Sequence, residues 1–185
     1  MERRIERHRR ASEGFAAVAE GAEAAEAWSR PSPCAGWTAR DVVEHVIGFH
    51  EVLVLRPLGV KVERPREGPA ARWRATERAL FEEAFSQSTP EIERLLPMLT
   101  TDVLIHTWDL ARALDLPVEL DADLCHRAYA HVSRAPDAIA SSGMYDPPVA
   151  GAHDAPVVER LLSLLGRDPA WSPPAGDPVS TSTSG

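Results

Sequence analysis

The chain has 185 residues, 44% of them hydrophobic, and its 20 basic against 28 acidic side chains give a formal net charge of −8. That length suits one well-buried core rather than two sizeable domains. An acidic chain also lacks the basic surplus that binding to a phosphate backbone requires, which argues against a nucleic-acid partner. Cys34 and Cys125 make neither a disulfide framework nor a paired zinc motif. No apolar run approaches the roughly 20 residues of a membrane span, and the charged N-terminus has no hydrophobic signal core. The expectation is a cytoplasmic protein.

In chain order, residues from about Ile5 to Trp28 are rich in Ala and Glu and predict a first helix. Its early run of Arg3, Arg4, Arg7, Arg9 and Arg10 is interleaved with Glu2 and Glu6. It reads as a solvated charged face, with an anion-binding patch as the alternative. Pro31 to Gly36 forces a loop. Thr38, three residues before Asp41, is a capping-box-like start for a second helix running to about Leu55. Pro57 to Pro69 is rich in Pro and Gly and predicts a long crossover. A third helix spans about Ala71 to Ser86, with Trp73, Leu80 and Phe81 as anchors. After a short helical piece near Pro90, Pro97 is placed in the first turn of a fourth helix that extends to about Leu114. Asp121 caps a fifth, to about Ser133, and Pro156 to Leu165 forms a short amphipathic one. With no alternation suited to strands, the fold class is all-α: a single helical domain over residues 1–171, followed by a disordered tail over 172–185.

Within this frame three polar side chains fall on core-facing stripes. Val42, His45, Val46, Phe49 and Leu53 follow the spacing of one buried face, as do Leu95, Leu99, Asp102, His106 and Ala113 on the fourth helix. Asp102 and His106, four residues apart, stack one above the other. An ionised carboxylate in a core without a partner costs several kcal/mol, and a shared cation would relieve that for all three groups. Two histidines and one carboxylate with an open position make a set suited to a catalytic or substrate-binding metal. Ordinary core histidines, or an Asp102 paired with His45, His106 or an arginine, are the alternatives.

Other polar residues read more simply. His50 lies about 140° around the helix from His45, which makes it a flanking group rather than a fourth ligand. Asp109 is expected to pair with Arg112, the alternative being that it orients a ligand imidazole. Trp108 reads as a packing anchor and Cys34 as a structural residue. His126, His131 and His153 have no ligand partner at helical spacing.

The segment Ser32-Pro33-Cys34-Ala35-Gly36-Trp37-Thr38-Ala39-Arg40-Asp41, followed by Glu44-His45-Val46, resembles the start of the actinobacterial metal-binding branch of the DinB-like superfamily. This branch is similar to the N-terminal domain of mycothiol-dependent maleylpyruvate isomerase. Val103 to Ala113 matches its second signature, and Leu161 to Pro169 its usual C-terminal ending. The resemblance implies a four-helix bundle with a long crossover between helices 2 and 3 and extra C-terminal helices. It also implies a divalent ion, zinc or nickel, held by His45, Asp102 and His106, although relatives often carry Glu or His where Asp102 stands. The activity it implies joins mycothiol, a low-molecular-weight thiol, to a small-molecule electrophile, by transfer or by reversible addition that permits isomerisation. The competing functions are metal-dependent hydrolysis and non-catalytic binding of a metal or small ligand. Residual apolar helix faces leave room for a homodimer.

Overall fold

The computed structural model describes residues 1–87, 89–151 and 154–174. Among them are seven α-helices and no strand: α1 (Glu2–Ala24), α2 (Ala39–His50), α3 (Pro69–Arg78), α4 (Pro90–Ala113), α5 (Ala122–Val132), α6 (Pro136–Ser141) and α7 (Val157–Leu164). α1 and α2 each pack against both α3 and α4, which is the expected four-helix bundle, while α5 lies on α4 and α7 on α5. The tail expected to be disordered falls mostly on residues 175–185, and His153 is likewise outside the described residues. No helix among the described residues is long and apolar enough to cross a membrane.

The start of α2 is set by a capping box. Asp41 N donates to Thr38 Oγ1 (3.4 Å) and Thr38 N donates to Asp41 Oδ2 (2.8 Å). Two donors without intrahelical partners are thereby satisfied. This fixes the phase of the helix, and hence where His45 emerges one turn later.

Both α2 and α3 end by widening. α2 runs into a π-helical turn at Glu51–Leu55, and α3 into another at Ala79–Glu83 followed by a 3₁₀ turn at Ala84–Gln87. A π turn holds more residues than an α turn, so everything beyond it is rotated. The sequence stripe therefore places Leu53 in the core, whereas Leu53 is half-buried and the next two residues, Val54 and Leu55, are buried. Leu80 and Phe85 are buried beside them, and Phe81 is half-buried under the guanidinium of Arg9.

α4 corrects the placement of Pro97. The helix begins at Pro90, with Thr89 Oγ1 accepting from Ile92 N (3.3 Å), so Pro97 sits in its interior rather than its first turn. Proline has no N–H and leaves the carbonyl four residues earlier without a helical partner. That carbonyl belongs to Glu93, and Arg4 Nη1 of α1 donates to it at 2.8 Å. The interior proline is tolerated because a neighbouring helix replaces the lost donor.

His8 and His50, both fully buried, meet between α1 and α2 with their Nε2 atoms 3.2 Å apart. His50 Nδ1 donates to Val46 O (2.7 Å), and His8 Nδ1 lies 3.3 Å from Thr100 Oγ1. His50 is thus a core group, not a flank of the metal candidates. Burial pushes both imidazoles below their ordinary pKa; for His8 the neighbouring His50 adds to the shift. A base whose folded pKa lies below its unfolded value stabilises the fold above the unfolded pKa and loses that contribution as pH falls. Unfolding free energy is therefore expected to drop between about pH 7 and pH 5, by up to about 1.4 kcal/mol per pH unit for each histidine. Urea unfolding of the wild type and of His8→Leu/His50→Leu checks this. The variant should have the shallower pH slope, and equal slopes would contradict a buried neutral pair.

Candidate metal centre

The structure brings His45, Asp102 and His106 together. One potential ligand atom from each lies within 4.8 Å of the others. His45 Nε2 is 3.4 Å and His106 Nε2 3.5 Å from the same oxygen, Asp102 Oδ1. The two imidazole centroids are 4.7 Å apart. Asp102 and His106 are buried in α4, while the His45 side chain, 33% exposed, stands at the rim. Trp37 packs against both rings, at 5.0 Å from His45 and stacked on His106 at 6.0 Å, and Phe49 stacks on His45 at 5.6 Å. Trp37 and Phe49 thus flank the trio, and His45 is its most exposed member.

Electrostatically the site is arranged for a positive charge. Burial alone would raise the Asp102 carboxyl, but the charge of His106 and hydrogen bonds from His106 and His45 hold it well below the usual carboxylate range. Burial would likewise depress His106, yet the Asp102 charge and the hydrogen bonds that the imidazole makes to Asp102, Asp109 and Cys34 hold it well above its ordinary value. Asp102 Oδ2 is buried with no hydrogen-bond partner among the described residues. An unpartnered buried carboxylate oxygen is costly. Together with two imidazole nitrogens facing the same carboxylate, it is the feature that fits a divalent ion.

Cys34, His106 and Asp109 also converge, but their arrangement is already complete. Asp109 Oδ2 accepts from His106 Nδ1 (2.9 Å), Arg167 Nη2 (2.9 Å) and Cys34 Sγ (3.2 Å), and Oδ1 accepts from Arg167 Nε (3.2 Å). The guanidinium supplies the positive charge that a metal would bring. Burial pushes the Cys34 thiol up, and the Asp109 charge adds to this, so Cys34 stays protonated and donates to the carboxylate. Asp109 therefore does not pair with Arg112, which instead donates from Nε to Trp171 O (2.9 Å) and lies over the Trp108 ring. By accepting a hydrogen bond from His106 Nδ1, Asp109 fixes the ring orientation so that Nε2 is the nitrogen facing Asp102 and His45, the support that ligating histidines commonly receive.

Sequence reasoning missed Arg167, Trp37 and the contact of Cys34 with Asp109. The available signals were Gly36-Trp37 before the capping box and Gly166-Arg167 after the last leucines. Gly166 has φ 78°, and a Cβ there would sit 2.5 Å from Asp146 O. Only glycine fits this turn, and the turn delivers Arg167 to Asp109.

Residues 8–85 match the family of the mycothiol maleylpyruvate isomerase N-terminal domain. Uncharacterised proteins from two strains of Mycobacterium tuberculosis, CDC 1551 / Oshkosh and ATCC 25618 / H37Rv, are each 32% identical over 130 residues, 63% of this chain and 70% of theirs. The chain belongs to this family. The matched segment carries Cys34, Trp37 and His45, whereas Asp102, His106 and Asp109 lie beyond it. No solved structure matches the chain.

The buried charges make a direct prediction. Arg167→Met leaves Asp109 as a buried carboxylate without its guanidinium, and is expected to destabilise the fold by about 3–5 kcal/mol. Urea denaturation measures this, and a loss below about 1 kcal/mol would show that Arg167 does not compensate Asp109.

Proposed function

We propose that His45, Asp102 and His106 hold a divalent ion, zinc or nickel, and that the protein uses it with a low-molecular-weight thiol of the mycothiol type as a transferase or isomerase. The observation that carries this reading is the unpartnered Asp102 Oδ2, set beside two imidazoles of which one is aligned by Asp109. A divalent ion at this position would supply the positive charge that holds a bound thiol as thiolate at neutral pH. The family's name, which refers to mycothiol and maleylpyruvate, supports that substrate class.

The chain's own residues have separable tasks in this scheme. Asp109 keeps the Nδ1 proton of His106 and leaves Nε2 free to ligate. Arg167 neutralises Asp109, so that the carboxylate does not draw in a second cation. Trp37 and Phe49 shield the trio and offer apolar surface to the carbon skeleton of an electrophile, while the exposed edge of His45 marks the entry. Thiolate sulfur would attack the electrophilic carbon. In transfer the leaving group departs with the electron pair; in isomerisation the sulfur would add to the activated double bond, whose π pair moves onto the activating carbonyl, rotation would follow about the resulting single bond, and the pair would re-form the double bond as thiolate leaves.

A non-catalytic metal-binding role is the second reading. It is favoured by one observation: the titratable groups on the Nδ1 side of His106, Asp109 and Cys34, are both tied to Arg167 and unavailable as acid or base.

The test couples metal content to turnover. Protein purified after supplementation with zinc or nickel is expected to retain about one ion per chain, and His106→Ala to lose it. Asp109→Asn should weaken binding by about 10- to 100-fold. Ligands must be deprotonated, so affinity should fall as pH drops and protons compete for His106 and Asp102. Loaded wild type should consume thiol in the presence of maleylpyruvate or a chlorodinitrobenzene-type electrophile. Retention of the ion without turnover would favour the binding role, and failure to retain any divalent ion would remove both readings.

A further inference from the structure

On the far side of α4 from the metal trio, α1, α4 and α5 line a small, partly open cleft of about 80 Å³. Its α4 wall is Leu96, Pro97, Thr100 and Thr101, which lie between about 80° and 180° around the helix from Asp102 and His106. The cleft is therefore separate from the trio. Arg4 and Arg7 of α1 and Arg127 and His131 of α5 line it, with no carboxylate among the lining residues. In a chain of net charge −8, the three arginines here outnumber the two carboxylates paired with them, Glu93 (3.8 Å from Arg4 Nη1) and Asp123 (3.0 Å from Arg127 Nε).

Two of these guanidinium groups, Arg4 and Arg127, are held in place with donors to spare. Arg4 is anchored by the Glu93 carbonyl that Pro97 leaves free. Arg127 gives its Nε to both oxygens of Asp123 (3.0 Å each), which leaves both terminal nitrogens without a partner among the described residues. Arg9 and Arg10 pair with Glu6 and Asp121, whereas Arg7 forms no ion pair among the described residues. The hydroxyls inside the cleft are committed differently: Thr100 donates to Leu96 O (2.7 Å) and Thr101 to Pro97 O (2.9 Å). Neither has a proton for an anion. The remaining wall, Leu96, Leu124 and Ala128, is apolar. The chemistry is thus divided, with cationic donors on one part of the cleft and hydrocarbon on the rest.

We propose that this cleft binds a small organic oxyanion, a carboxylate or a phosphate monoester, carrying a short apolar or aromatic body. The oxyanion sits against Arg7 and Arg127, since charge-assisted contacts to a guanidinium fork are the strong ones available here. The apolar body lies against Leu124 and Ala128. A neutral isostere of the same shape gains only the second set of contacts.

Isothermal titration of the full chain at low salt with benzoate, phenyl phosphate and benzamide tests this. Saturable binding of benzoate or phenyl phosphate, but not of benzamide, is expected; which anion binds more tightly distinguishes a carboxylate from a phosphate ligand. Arg7→Gln and Arg127→Gln should each weaken the anion by about tenfold, and added salt should weaken it further. Ala128→Leu, which fills the apolar floor and leaves every charge in place, should also reduce affinity. Chelator treatment should leave the affinity unchanged, because the metal trio lies across α4. No saturable anion binding, equal binding of benzamide, indifference to both arginine substitutions, or loss of binding on chelation would each overturn the proposal.

Discussion

The pairing of Arg167 with Asp109 is the constraint on which the rest of the site depends. It places a full charge pair inside the bundle, and each partner is tolerated there only because the other is present. From that pair the order runs outward. Asp109 fixes the proton on His106 Nδ1, and the opposite nitrogen of the same ring then faces Asp102 and His45. One imidazole thus joins a closed, neutralised cluster to the candidate metal trio. The two candidate sets that share His106 are unequal for this reason: one already contains its positive charge, and the other has a buried carboxylate oxygen without a partner among the described residues.

Much of this was legible in the sequence, for identifiable reasons. The all-α class and the start of α2 followed from composition and from Thr38-x-x-Asp41, which are local signals. The convergence of His45, Asp102 and His106 followed from helical spacing, because the capping box sets the phase of α2 and the stretch of α4 from Leu99 to Ala113 is regular. Spacing lost its power at the π turn after His50, where Val54 and Leu55 took the place expected for Leu53.

Long-range pairing was not legible. His8 and His50 are separated by an entire helix and loop, and nothing near either announces the other. Arg112 was the nearest cation to Asp109 along the helix, yet the carboxylate chose an arginine 58 residues away. Proximity in sequence favours Arg112, but the geometry of the Gly166 turn delivers Arg167 in a bidentate pose that a helix neighbour did not offer. Pro97 misled in the same way. A proline is ordinarily a sign of a helix start, and only the remote Arg4 makes it acceptable within α4.

The reach of Arg167 also bears on the order in which the molecule can be completed during synthesis. The four bundle helices, including Asp109, emerge from the ribosome well before residue 167 does. Until then Asp109 has no guanidinium to offset its burial, and the segment of α4 that carries it is disfavoured from docking fully. A nascent chain can thus assemble the lower, apolar part of the bundle early, while the alignment of His106 waits for the closing turn at Gly166. The alignment of His106 by Asp109 is in this sense the last feature of the candidate site to form.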